Sequence, residues 1–351
     1  MKQAKDRSNG RSITLKALAQ HLHLSPSTVS LVVNHAPGYE SISPKTQERV
    51  LAAAKELNYK ANFLARSLRT SQSFTIGVIA PEVSEGYFPM VMSGVEHNLR
   101  NAGYLHFVVS HEGKAELLAD YPQLLTERGV DGFILINTLL KKPLAVPVVS
   151  ISGLSEMPGV VNIVLNHQKA TSLALRHLHN LGHREIAFMK GPPHIPDSRW
   201  RWDSIRKQAK AIGIRMRPEF CLQIRNNSWT PELGYPLVRD LLAKKPALTA
   251  IFCFNDVSAI GAIRAIVDAG LRCPDDISVM GFDDIASAAF GTPSLTTIRQ
   301  PLVSMGETAV QVLLKRIQKS HDGGRNLLIF EPELVVREST AKPHKPKKLR
   351  R

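Results

Sequence analysis

The first readable periodicity begins at Thr14. Leu15, Leu18, Ala19 and Leu22 recur at the spacing of one helical face, and Thr14 is placed to cap that helix. A turn at His23–Leu24 separates it from a second start signal, Ser25 then Pro26, ahead of Val29, Val32 and Val33. Ser43–Pro44 repeats the signal before Val50, Ala53, Ala54 and Leu57. Three short helices with a tight turn between the first pair predict a helix-turn-helix unit over 13–60.

From Phe74 the pattern changes. Short apolar runs at 74–80, 105–110, 131–136, 146–151, 185–189, 249–254 and 277–282 alternate with amphipathic stretches near 88–102, 167–181, 199–213, 256–270 and 301–319. Such alternation predicts parallel sheets with helices on both faces, and the length of 73–338 suits two lobes whose ligands bind beyond the carboxyl ends of the strands. Between the units, 61–72 is a linker with a helix-capable stretch too short to persist alone. A polar basic arm (1–12) and a Lys/Pro-rich tail (339–351) are expected to be disordered.

Charge sharpens this division. The 351 residues carry 45 Lys+Arg against 30 Asp+Glu, a formal +15. Residues 1–72 hold eleven basic and four acidic side chains, and 342–351 hold six basic and none acidic, so the long middle is nearly neutral. The excess points to a polyanion met by the ends of the chain, and nucleic acid fits it better than a membrane surface. No apolar run approaches the roughly 18–20 residues that span a bilayer, and the charged N-terminus has no apolar stretch behind it. Cys221, Cys253 and Cys273 are far apart and in no CxxC spacing. A cytoplasmic protein without disulfide framework or metal is expected.

Helix-turn-helix geometry directs the start of the second helix into the major groove. Pro26, Ser27, Thr28 and Ser30 lie there; Leu31, one turn along, offers apolar contact such as a thymine methyl. Thr14 and Ser25, at the two helix starts, complete this candidate interface. In the linker, Leu68 can wedge between base steps in the minor groove with Arg66 and Arg69 on phosphates.

In the long middle, polar and aromatic residues just after the apolar runs are ligand candidates: Tyr87, Phe88, Ser110, His111, Ser152, Asn255–Asp256 and Asp283–Asp284, with Arg201 and Trp229 nearby on or before helices. A ring face with carboxylate, amide and guanidinium groups suits a polyhydroxylated ligand. Each has a structural alternative: Asn255 or Asp256 as a helix cap, Phe88 and Trp229 as core, Asp283 in a turn. His177, His179 and His183 lack a third ligand or an HExxH-type base, which favours a structural role. There is no GxSxG, Walker A or post-strand GxGxxG, so no catalytic residue, cofactor or enzymatic activity is expected.

The runs ITLKALAQHLHLSPSTVSLVVN and SPKTQERVLAAAKELNYKANFLARSL resemble the headpiece and hinge of LacI/GalR-family transcription regulators, and the similarity extends over about 13–337. The resemblance implies an all-α helix-turn-helix headpiece plus an α/β bilobal periplasmic-binding-protein-like core, crossed three times between lobes. It matches Leu68 to an intercalating hinge leucine, with Ala65 one turn before it, and Pro26, Ser27 and Leu31 to base-reading positions. Asn34, Tyr59 and Asn62 match headpiece and hinge positions that contact the DNA backbone or support it. Phe88, Arg201, Trp229, Asn255, Asp283 and Gln300 match an effector pocket. Departures are Leu31 for a frequent arginine, Ala61 for a usual proline, and Ser152 where a pocket aspartate is common. The function implied is a repressor, acting as a homodimer on pseudo-palindromic double-stranded operator DNA. It would be controlled by a small-molecule effector, carbohydrate ahead of nucleobase or nucleoside. The alternatives are a solute-binding protein or a carbohydrate-processing enzyme on an α/β scaffold.

Overall fold

Hydroxyl caps start each helix of the N-terminal unit. Thr14 Oγ1 accepts from the Ala17 amide at 3.2 Å to begin α1 (Leu15–Leu22), which ends where His23 turns left-handed at φ 53°. Ser25 Oγ accepts from the Thr28 amide at 3.0 Å to begin α2 (Pro26–Val33), and Ser43 does the same for α3 (Pro44–Glu56). The prolines at the first position of α2 and α3 donate nothing where no acceptor exists. Leu18, Ala19, Leu22, Val29, Val32, Val50 and Ala53 form the buried centre, and Val33 and Leu57 lie at its rim. Arg49 ties α3 to the end of α1 through the Leu22 carbonyl at 3.3 Å.

The structure is a computed structural model describing residues 13–34, 38–59, 67, 72–84, 86–225, 230–319, 324 and 326–343. The chain divides into two compact units at Gln72/Ser73. In the second unit the strands are β1 (Thr75–Ala80), β2 (Leu105–Ser110), β3 (Gly132–Ile136), β4 (Val148–Ile151), β5 (Val160–Leu165), β6 (Ile186–Lys190), β7 (Cys221–Gln223), β8 (Ala250–Phe252), β9 (Ser278–Met280), β10 (Thr297–Arg299), β11 (Leu327–Phe330) and β12 (Glu333–Val335). The helices are α4 (Tyr87–Asn101), α5 (Ala115–Glu127), α6 (His167–Leu181), α7 (Pro196–Ala211), α8 (Tyr235–Leu242), α9 (Asp256–Asp268), α10 (Ala286–Phe290) and α11 (Leu302–Ile317).

Two parallel sheets divide this unit into lobes. Lobe one has the order β11-β5-β4-β3-β1-β2, and lobe two β7-β6-β8-β9. The central strands are largely apolar, and every residue of β1 and β3 is buried, as a parallel sheet covered on both faces requires. The chain leaves lobe one after β5, returns as α11, and leaves again from β11 into β12, which pairs with β10. These are the three crossings the resemblance implied. The return depends on two glycines. A Cβ on Gly94 of α4 would meet the Val303 carbonyl oxygen, and one on Gly306 of α11 would meet that of Val91, so the two helices touch backbone to backbone.

Several elements differ from the sequence expectation. Helix α5, which carries Pro122 within it, and the strands β5, β7, β10, β11 and β12 were not anticipated. The disordered tail expected from 339 starts too early: Ser339 is fully buried, donating to the Val279 carbonyl at 2.6 Å and accepting from the Val279 amide at 2.8 Å. His177 meets Thr340 Oγ1 at 2.9 Å, and His183 bridges Thr249 and the Ala341 carbonyl, so both fasten this last segment to lobe two. Residues 344–351 lie outside the described residues. Among the described residues no helix is long and apolar enough to cross a membrane.

Strand order reverses between β1 and β3 in lobe one and between β6 and β8 in lobe two. Loops leaving such points diverge and open a crevice at the carboxyl edge of the sheet.

Candidate functional site

The crevices of the two lobes face one another. Ala80–Pro81 and Ile136–Asn137 come from the ends of β1 and β3. Ile195 and Asp197 follow β6, Phe254–Asn255 follow β8, and Asp283 follows β9. With Glu82, Tyr87, Phe88 and Arg201 they enclose a chamber of about 20 Å³, room for one water. A larger ligand enters only if the lobes part or Arg201 moves aside.

Arg201, which is 4% exposed, packs against the rings and charges of its neighbours. Its guanidinium lies 3.7 Å above the Phe282 ring and 4.8 Å from that of Phe254, while Nη1 donates to the Phe254 carbonyl at 2.5 Å. Nη2 donates to Asp197 Oδ2 at 2.5 Å, and His167 Nε2 holds the other carboxylate oxygen at 2.5 Å. Burial opposes the Asp197 charge, but His167 and Arg201 outweigh it and hold the carboxyl at about 2. Arg201 Nε and Ser198 Oγ are buried without a partner among the described residues.

Asp283 has the opposite character. It takes the left-handed region at φ 118°, Gln300 Nε2 donates to its Oδ1 at 2.6 Å, and burial pushes it up to about 7 against the pull of Arg201. An acidic residue held there by its surroundings is the kind of strain that accumulates at functional positions. Asn255 caps α9 through the Ser258 amide at 2.9 Å, with Ser258 Oγ returning the contact, and still lines the chamber. Asp256 is fully buried behind it, accepting from Thr297 Oγ1 and the Ile285 amide.

Of the effector residues expected from the sequence, Phe88, Arg201, Asn255 and Asp283 come together at the chamber. Ser152 and Gln300 stand one layer behind: Ser152 Oγ meets Tyr87 Oη at 2.6 Å, and Gln300 holds Asp283. Trp229 lies outside the described residues. Sequence reasoning missed Glu82, Asn137, Asp197 and Phe254. Asn137 follows an expected strand directly, and Asp197 precedes Arg201 by one helical turn; both signals were present.

In the N-terminal unit Thr14, Ser25, Pro26 and Ser27 are exposed, and Thr28, Ser30, Leu31, Asn34 and Tyr59 are partly buried. Asn34 Nδ2 donates to the Ser30 carbonyl at 2.9 Å, fastening the end of α2. Asn62, Ala65 and Leu68 lie outside the described residues.

The sequence pattern of bacterial regulatory proteins of the lacI family matches residues 14–62, and that of the periplasmic binding protein-like domain matches 175–340. The repressor PurR of Aliivibrio fischeri (strain MJ11) is 34% identical over 335 residues, covering 93% of this chain and 98% of that protein. The chain belongs to the LacI family. Its similarity to the Lac repressor dimer bound to operator and the anti-inducer ONPF has a TM-score of 0.80 at 28% identity, covering 94% of this chain and all of that one. The regulator CelR in complex with cellobiose aligns at TM-score 0.68 and 26% identity, over 93% of this chain and 99% of that one. This LacI-family chain is accordingly a DNA-binding transcriptional repressor with an effector-binding core, and not an enzyme.

Proposed function

We propose that this repressor's grip on a pseudo-palindromic operator is set by a neutral carbohydrate held between the lobes. The supporting observation is the composition of the chamber. Asp283 and Asn255 from lobe two face Tyr87 and Phe88 from lobe one, and Arg201, the one cation lining it among the described residues, is already neutralised by Asp197. Sugar hydroxyls donate to carboxylate and amide oxygens, while the C–H face of the ring lies on aromatic side chains. The CelR–cellobiose complex shows a related protein with a sugar bound. A nucleobase is the second reading, favoured by the similarity to repressors named PurR.

On the DNA side, α2 presents Pro26, Ser27 and Leu31 to the major groove, with Thr14, Ser25, Thr28, Ser30, Asn34, Tyr59, Asn62 and Ala65 supporting it or contacting phosphates, and Leu68 wedging between base steps. A homodimer would match the two half-sites. Its contact is supported by β2, the edge strand of lobe one, where Leu105 is 71% and Phe107 45% exposed.

A thermal-shift screen of the full chain against monosaccharides, disaccharides, nucleobases and nucleosides tests the effector class. A sugar should stabilise the wild type and fail to stabilise Asp283→Asn; stabilisation by nucleobases alone would exclude the sugar.

A further inference from the structure

Helix α2 is the run Pro-Ser-Thr-Val-Ser-Leu-Val-Val, with no cation, carboxylate or side-chain amide in it. The two-point contacts that single out guanine, adenine and cytosine in the major groove need those groups. This helix offers only single hydroxyls and aliphatic surface.

The hydrogen bonds narrow the choice further. Ser25 and Thr28 are joined hydroxyl to hydroxyl at 2.8 Å, and Ser25 Oγ also accepts from the Thr28 amide. Ser30 Oγ accepts from Asn34 Nδ2 at 3.3 Å, and the same Nδ2 donates to the Ser30 carbonyl at 2.9 Å, so the amide at the helix end is turned back on α2. Ser27 is exposed, and its hydroxyl alone of the four has no partner among the described residues.

The aliphatic side chains divide in the same way. Val29 and Val32 are fully buried and Val33 packs against the headpiece centre, whereas Leu31 is partly exposed and takes no part in that centre. With about 100° of turn per residue, the side opposite Val29 and Val32 runs between Ser27 and Leu31, neighbours at i and i+4. One free hydroxyl and one isobutyl group therefore stand together on the face turned away from the core.

We propose that Leu31 is the specificity-determining residue of each half-site and recognises thymine by covering its C5 methyl group, while Ser27 adds one hydrogen bond to an adjacent base edge. Apolar contact is the recognition open to an aliphatic side chain in the major groove, and the methyl is what thymine has and cytosine lacks. The inference rests on the operator reading above and adds the base chemistry that α2 selects.

The test starts from a palindrome selected by the full-length protein out of a random duplex pool, remade with deoxyuridine for thymine at one symmetric pair of positions at a time. At one pair, loss of the methyl should weaken binding about fourfold per half-site, or about fifteenfold for both. At that pair 5-methylcytosine should bind more tightly than cytosine. Leu31→Ala should hold the thymine and uracil sites equally, with its affinity for random duplex unchanged, and Leu31→Arg should exchange the thymine preference for guanine. If deoxyuridine has no effect at any pair, or its effect persists in Leu31→Ala and Leu31→Arg, methyl recognition by Leu31 is overturned and the operator reading stands. If no palindrome is bound more tightly than random duplex, the operator reading itself fails, and this inference with it.

Discussion

Asp197 and Arg201 stand one turn apart on α7, carboxylate to guanidinium at 2.5 Å, each side chain 5% exposed. The pair sets the charge that a ligand meets, because the guanidinium is neutralised before anything binds. Removing one member of a buried ion pair costs about 3–5 kcal/mol, since the other charge is left without compensation. Asp197→Asn should therefore lower the urea midpoint by a stability loss of that order. It should also admit an anionic sugar: glucose 6-phosphate should bind the variant and be refused by the wild type. Refusal by both would show that Arg201 is unavailable for reasons other than Asp197.

Asp283 and Asp197 respond to pH in opposite directions. With its carboxyl raised to about 7, Asp283 holds a proton that the unfolded chain has released above an ordinary value near 4. Its contribution is therefore complete below about pH 4 and is lost as pH rises through about 7. Asp197, held at about 2, contributes fully above its ordinary value and loses that contribution as pH falls towards 2. Asp283→Asn should raise the thermal midpoint at pH 8 by a few degrees and flatten the pH 4–7 slope. A variant with the wild-type slope would assign that slope to another group.

The sequence revealed what local chemistry decides and missed what distant contacts decide. The caps Thr14, Ser25 and Ser43 and the faces of α1 to α3 were readable because each signal lies within a few residues of its effect. The three-residue strands β7, β10 and β12 were not, because their pairing is set by neighbours remote in the chain. Arg201 lies within a helix and was named by the resemblance, whereas Phe88, Asn255 and Asp283 were readable as candidates because apolar runs mark the strands before them. The same rule, applied to Ile136, would have given Asn137. Asp197 escaped because an acid early in a helix reads as a favourable partner for the helix dipole, and only packing against His167 and Arg201 shows its second role. Gln300 was assigned to the pocket, yet its side chain acts on Asp283 from behind.

Phe107 and Leu105 supply the exposed apolar edge of lobe one. Phe107→Lys should shift the chain from dimer to monomer in sedimentation velocity and weaken operator binding at nanomolar protein concentration, leaving the thermal midpoint of the core within about one degree. An unchanged dimer would place the interface elsewhere.

Leu68 is proposed to act after the headpiece has docked. Leu68→Ala should weaken binding to a selected palindromic site at least tenfold while leaving affinity for random duplex, and its steep salt dependence, nearly unchanged. Equal loss on both DNAs in fluorescence anisotropy would remove the wedge from the account.

The central claim is that a ligand between the lobes controls the hold on DNA. Its most direct test is the operator affinity of the full-length protein, measured by anisotropy across a titration of the tightest-binding sugar. A coupled site should change that affinity by about 5–150-fold, in the wild type and not in Asp283→Asn. Operator affinity that stays flat while calorimetry shows the sugar fully bound would contradict the account.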